Sequence, residues 1–131
     1  MSAWEHFGTA FSDNSPIYSQ IIALFSRSFA RGEIKTGERI PSIRDMAMHL
    51  KVNAGTMQRV YQEMEREGLI GSKRGTGYFF TEEGKMIEKI RRNLAQDSLR
   101  RFVDEMRALG CQDREILEEL KLFMKEGVKH A

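Results

Sequence analysis

Residues 41–68 read PSIRDMAMHLKVNAGTMQRVYQEMEREG, and two amphipathic helices separated by a few residues are legible in them. Pro41-Ser42 opens the first, since proline is tolerated in a helix's first turn, and Ser42 and Asp45 have the spacing of a capping box, in which each side chain satisfies a free backbone donor. Ile43, Met46, Ala47 and Leu50 give one apolar face over two turns, and the pattern stops near Lys51-Val52. Asn53 is placed to cap the second helix, whose inward stripe is Met57, Val60, Tyr61 and Met64, with Gly68 as its C-terminal glycine. A connection this short forces a tight turn between the helices.

Upstream, Ser15-Pro16 marks another helix start, with the serine as cap. Ile17, Ile21, Leu24, Phe25 and Ser28 follow at helical spacing, Phe29 flanks them, and Gly32 ends the run. Trp4, Phe7 and Phe11 are spaced as a short amphipathic turn, expected to pack on the core or on a partner subunit. Downstream of Gly68 the period changes: Leu69-Ile70 and Tyr78-Phe79-Phe80 are β-prone runs flanking residues 71–77, a hairpin with a glycine-rich, basic tip. Helix, helix-turn-helix, hairpin is the order of a winged helix domain, which assigns residues 1–81 to it.

Residues 82–131 return to the helical period. Thr81-Glu82-Glu83 puts acids at a helix start, where the backbone dipole favours them. Ile87, Ile90, Leu94, Leu99, Phe102, Val103, Met106 and Leu109 then hold an apolar stripe until Gly110 breaks it. Asp113 is expected to cap a last helix with Ile116, Leu117, Leu120, Phe123 and Met124 inward. The expected fold class is therefore mainly α with a small β-hairpin: an N-terminal winged helix-turn-helix and a C-terminal two-helix dimerisation segment. Two helices alone form a poor core, so Ile87, Ile90, Leu94, Leu99, Phe102, Val103, Met106, Leu120 and Phe123 are expected to meet a second copy of the chain.

Composition narrows the function classes. The 131 residues are 40% hydrophobic and 31% charged, with one cysteine, Cys111, too few for a disulfide framework or a multi-cysteine metal site. No apolar run approaches the ~20 residues that span a bilayer, and nothing at the N-terminus reads as a secretory signal, so a cytoplasmic protein is expected. The net charge of +2 alone does not suggest nucleic acid. Its distribution does: between Pro41 and Gln62 the only acid is Asp45, against Arg44, Lys51 and Arg59, and no acid falls between Leu69 and Phe80, where Lys73 and Arg74 stand.

The motifs Pro16-Ile17-Tyr18-Ser19-Gln20-Ile21, Gly37 through Ala47, Val52-Asn53 with Thr56 through Tyr61, Glu65 through Ile70, and Arg74 through Phe79 together resemble the N-terminal domain of the GntR family of bacterial regulators, over residues 16–80. The short two-helix tail is similar to the YtrA-type subfamily. A homodimer bound to double-stranded DNA at a palindromic operator is expected, most simply as a repressor and with no cofactor, and the resemblance implies control of a transport operon. In a helix-turn-helix the second helix enters the major groove by its N-terminal end, which assigns base contact to Asn53, Ala54, Gly55, Thr56, Gln58 and Arg59. Gln and Arg suit adenine and guanine edges respectively, and small Ala54 and Gly55 let the backbone approach closely. Arg44, in the first turn of the preceding helix, is assigned to DNA by the resemblance; an ion pair with Asp45 or Glu38 is the alternative. Lys73, Arg74 and Gly75 at the wing tip are assigned to the backbone or the adjacent minor groove. Tyr18, Tyr61 and Leu24 are assigned to the core, and Lys51 and His49 to phosphate or solvent. The tail leaves little room for an enclosed ligand cavity, usually about 300 Å³ or more; a small-molecule effector, whose identity the sequence does not give, could still bind between subunits.

Other classes fit less well. The run Gly71-x-x-x-Gly75-x-Gly77 lacks the lysine-threonine ending of a phosphate loop, Glu63, Glu65 and Glu67 read as a solvated helix face, and His6, His49 and His130 have no metal-ligand spacing, so neither an enzyme nor a metal site is expected. A helical protein-binding or membrane-surface adaptor without DNA binding is the alternative function. Arg91-Arg92 and Arg100-Arg101 would favour it, but acids match bases one for one across residues 82–131.

Overall fold

The computed structural model describes residues 2–8 and 11–130, the side chains of 128–130 excepted. After a single 3-10 turn at Ala3–His6 come α1 (Ile17–Ala30), β1 (Arg39–Ile40), α2 (Ile43–Leu50), α3 (Ala54–Arg66), β2 (Ile70–Lys73), β3 (Gly77–Phe80), α4 (Gly84–Ala108) and α5 (Asp113–His130). The chain divides into two compact units, Met1–Arg91 and Arg92–Ala131.

The first unit is the winged helix domain. Its sheet is antiparallel in the order β1-β3-β2, with Ile40 opposite Tyr78 and Ile70 opposite Phe80. The expected hairpin is thus two strands of a three-stranded sheet, and the strands run further toward the tip than the β-prone residues alone suggest. Only residues 74–76 turn, closed by the Thr76 amide and hydroxyl, which both donate to the Lys73 carbonyl. The two-residue β1 carries no strand signal of its own; backbone pairing with β3 makes it.

Helix α1 starts differently from the sequence expectation. Pro16 occupies the cap position and Ser15 makes no side-chain cap. Instead the Gln20 amide reaches back, donating to the Ser12 and Ser15 carbonyls at 2.8 Å while its oxygen accepts from the Ser12 amide at 2.9 Å. Ile21, Phe25, Ser28 and Phe29 are the buried residues of α1, whereas Ile17 is exposed. At α2 the Ser42 hydroxyl accepts from the Asp45 amide at 3.1 Å, but Asp45 returns no bond, so only half of the capping box forms. Helices α2 and α3 end alike, each with a residue in the left-handed conformation and a six-to-one backbone bond, Val52 to Ala47 and Leu69 to Met64. In α3 that residue is Gly68, where an added Cβ would also lie 2.8 Å from the Met86 methyl. In α2 it is Lys51, at φ 57°, the only described non-glycine with positive φ. The helix-turn-helix connection therefore holds a mild backbone strain of about 1–2 kcal/mol.

The core of this unit joins all its elements. Met46, Leu50, Met57, Val60 and Met64 have no measurable exposure and close on Ile21 and Phe25. Phe80 stacks on Phe29 at 5.5 Å and Phe7 meets Phe25 edge-on at 5.1 Å. Trp4 is buried as well, and Phe7 and Phe11 pack half-buried against the same core. Ile87 and Ile90 also pack against this core, and the Arg91 guanidinium donates to the Ala30 carbonyl at 3.1 Å. Ile87 and Ile90, expected at the dimer face, are thus half-buried against the chain's own core. These contacts also put the structural boundary after Arg91, within α4, rather than at residue 81 where the pattern changes.

In the second unit Ile116 is the only buried side chain among the described residues. Gly110, at φ 91°, ends α4, with the Cys111 amide bonded to the Met106 carbonyl. Asp113 does not cap α5. It is that helix's first residue and takes the Arg107 guanidinium through both oxygens, at 3.1 and 3.2 Å, while the Glu115 carboxylate accepts from the Gln112 amide. Leu94, Phe102, Val103, Met106 and Leu120 are half-buried. Leu117, Phe123 and Met124, expected inward, are 59%, 73% and 61% exposed.

Tyr61 ties the recognition half of the fold together and supplies a test. Its hydroxyl donates to the Pro41 carbonyl at 2.7 Å. Burial, helped by Tyr78 and Asp45, pushes the phenol well above its ordinary value of 10.0. Folding therefore holds this proton more tightly than the unfolded chain does. The associated stability is complete below the unfolded value and is lost as pH rises beyond it. Tyr61→Phe should cost about 1 kcal/mol at neutral pH. Urea unfolding at neutral and strongly alkaline pH should show the parent losing more stability across that interval than the variant.

Candidate nucleic-acid interface

Helix α3 is two-faced by composition. Met57, Val60, Tyr61 and Met64 are its buried residues, which turns Ala54, Gly55, Gln58 and Arg59 outward; all four are exposed, and Thr56 is half-buried. Asn53 caps the helix as expected, its side-chain oxygen accepting from the Gly55 amide at 2.6 Å. That leaves the Asn53 NH2 as the part of the side chain without a partner among the described residues. The cap also gives Gly55 a local reason to be small, since an added Cβ there would lie 3.0 Å from the Asn53 oxygen.

Three contacts fix α3 beyond its core stripe. The Tyr61 hydroxyl holds it to Pro41 at the entrance to α2. The Tyr61 ring meets Tyr78 of β3 edge-on at 5.0 Å, and the Ser72 hydroxyl of β2 donates to the Glu65 carboxylate at 3.0 Å. The helix and the wing are thereby braced against each other. Charge is segregated along α3: Arg59 stands in its N-terminal half, while Glu63, Glu65, Arg66 and the adjoining Glu67 gather at the other end, where Arg66 pairs with Glu63. The positive pole of the helix macrodipole lies at the end without acids.

Arg59 is not a free side chain. Its guanidinium carbon lies 3.7 Å from the centroid of the Tyr18 ring. Tyr18 is half-buried, as is Leu24, so of the three residues assigned to the core only Tyr61 is fully inside. Arg44 is exposed on the first turn of α2 and pairs with neither Asp45 nor Glu38; the Glu38 carboxylate accepts from the Lys35 amide instead. His49 has a protein partner rather than phosphate or solvent alone, its Nε2 lying 3.0 Å from the Trp4 carbonyl. Lys51 is exposed.

At the wing Lys73, Arg74 and Gly75 are all exposed. Lys73 is steadied over the Phe79 ring, its Nζ 4.6 Å from the centroid, and Gly75 takes φ 77°, open to glycine at no steric cost. Sequence reading left Arg39 unassigned. The β1–β3 register sets it opposite Phe79, and its guanidinium lies beside Gly77, where an added Cβ would come within 3.5 Å of Nε. No local pattern marks this residue, because its position follows from the pairing of a strand that the pattern does not reveal. His6 is exposed, and the side chain of His130 lies outside the described residues. Among the described residues no group of His, Cys, Asp or Glu is arranged to hold a metal ion, and no helix is long and apolar enough to cross a membrane.

Comparison with known proteins places this arrangement. The sequence pattern of the gntR family of bacterial regulatory proteins matches residues 17–80. The chain is similar to the HTH-type transcriptional regulator YhcF of Bacillus subtilis, with 38% identity over 89% of this chain and 97% of that protein. It is also similar to the HTH-type transcriptional repressor YtrA of the same organism, with 30% identity over 86% of this chain and 85% of that one. Among solved structures, a GntR family transcriptional regulator from Listeria monocytogenes aligns with a TM-score of 0.75 and 34% identity, over 85% of this chain and 97% of that chain. These matches extend well past the winged domain into the helical tail. The chain belongs to the GntR family of DNA-binding transcriptional regulators, not enzymes, and within that family it is YtrA-like.

Proposed function

We propose that this regulator is a cytoplasmic repressor that binds an inverted-repeat operator as a homodimer. The observation that carries the reading is the outward face of α3, where Asn53, Ala54, Gly55, Gln58 and Arg59 are exposed on a half-helix free of acids. That half enters the major groove, with Gln58 and Arg59 reading base edges and Asn53 and Thr56 assisting. Arg44 and the wing residues Lys73, Arg74 and Gly75, all exposed, follow the phosphates and the adjacent minor groove. Arg39 adds a phosphate contact beside the wing. The relative YtrA, described as a repressor, supports occlusion of a promoter as the mode of action.

The dimer is formed by the second unit. Helix α4 is 25 residues long and has no buried side chain, and Leu99, Leu117, Phe123 and Met124 are all large apolar side chains left exposed. Leu94, Leu99, Phe102, Val103, Met106, Leu120 and Phe123 provide the face that a second copy covers. A two-fold axis spaces the recognition helices, so the half-sites are set about 10 bp apart or a multiple of that.

Selection of DNA from a random pool with the purified chain should return a palindromic motif; sequences without internal symmetry would overturn the inverted-repeat reading. Gln58→Ala should cost roughly 1–3 kcal/mol and relax preference at one position of each half-site. Lys73→Ala or Arg74→Ala should instead weaken binding evenly across sequences and flatten the dependence of affinity on salt. Light scattering on a Leu99→Glu, Phe102→Glu, Phe123→Glu variant should report a monomer with an intact winged domain and poor operator affinity. A variant that stays dimeric would relocate the interface.

A further inference from the structure

The Tyr18–Arg59 stack joins α1 to the outward face of α3. Tyr18 belongs to the first turn of α1 and Arg59 to the outward face of α3, two helices that pack on each other. At 3.7 Å the guanidinium rests on the ring face, where the quadrupole of the aromatic attracts it. Among the described residues no carboxylate lies within ion-pair distance of Arg59. The ring therefore orients the arginine without neutralising it.

We propose that Tyr18 is a positioning residue for operator specificity, holding the Arg59 guanidinium in the plane from which it reads a base. The inference rests on the reading of α3 as the groove-entering helix. Ala54 and Gly55 have no side-chain hydrogen-bonding groups, Thr56 is half-buried, and the Asn53 oxygen is engaged in the helix cap. Base discrimination by α3 thus falls chiefly on Gln58 and Arg59. Recognition of a guanine edge by two parallel N–H groups needs the guanidinium plane held still, and an unsupported arginine samples many rotamers and neutralises phosphate regardless of sequence. Stacking supplies that restraint before DNA arrives, so less freedom is lost on binding.

The test measures affinities of the full chain for the selected operator and for every single base-pair variant of it, alongside thermal unfolding midpoints. The proteins are the parent, Arg59→Ala, Tyr18→Phe, Tyr18→Leu and a chain with pentafluorophenylalanine at position 18, which keeps the ring's shape and reverses its charge distribution. Tyr18→Phe should match the parent. Tyr18→Leu and the fluorinated ring should both lose about three- to tenfold of the preference at the one base pair that Arg59→Ala affects, with the other positions unchanged. In the Arg59→Ala background Tyr18→Leu should add nothing at that position. If the leucine chain does not fold, the fluorinated ring decides. Parent-like preference in the fluorinated chain, or an equal loss at every position, overturns the positioning role alone. An Arg59→Ala chain with every base preference intact overturns the reading of Arg59 itself, and the role of Tyr18 with it.

Discussion

Thirteen residues of α3 serve two environments, and the rotation of that helix about its own axis is the constraint on which the rest of the molecule depends. Met57, Val60, Tyr61 and Met64 recur at three and four residue intervals and are the largest apolar contribution of the helix-turn-helix to the core. Burying them leaves one orientation. A rotation by a single residue would expose a core methionine, at about 1.5–3 kcal/mol for a fully buried side chain, and turn Gln58 or Arg59 inward. The chemistry offered to DNA is therefore set by hydrophobic packing on the opposite face, and Tyr61 closes the arrangement by bonding the backbone at Pro41.

Electrostatics add placement rather than bulk charge. A net charge of +2 is unremarkable, yet the cations Arg39, Arg44, Arg59, Lys73 and Arg74 are all exposed and none is held by a carboxylate among the described residues. Two of them rest on aromatic rings, Arg59 on Tyr18 and Lys73 on Phe79. Such stacks restrain a long side chain while leaving its charge available, which an ion pair does not. Of the acids in this region, Asp45 and Glu38 pair with none of these cations, Glu38 accepting from the Lys35 amide, and the others gather at the C-terminal end of α3, where one is occupied with Arg66 and another with the wing.

The second unit obeys a different balance. With Ile116 its only buried side chain among the described residues, it has no core of its own comparable to that of the winged domain. Its local order comes from backbone bonds, the Gly110 turn and the Arg107–Asp113 pair, which is exposed and adds little. Large apolar side chains left open on two long helices are costly in water unless covered, and that cost is what an assembly of two chains would remove.

The sequence by itself determined the helices, the tight turn between α2 and α3, the basic wing tip and the residues that α3 turns outward. Each of these rests on short-range rules: helical periodicity, the capping side chains of Ser42 and Asn53, and the glycine after α3. What only the tertiary structure decided depends on residues far apart in the chain. Backbone pairing with β3 created β1 and brought Arg39 to the wing. Core packing drew Ile87 and Ile90 into the winged domain, Gln20 displaced Ser15 from the role of anchoring α1, and Asp113 gave up a cap for Arg107. Tyr18 and Arg59 stand in separate sequence motifs, and only the packing of α1 on α3 made a stacked pair of them. Periodicity reports which side of an element is apolar; it carries no information about which partner a long or polar side chain will meet, because that depends on distances closed by the fold.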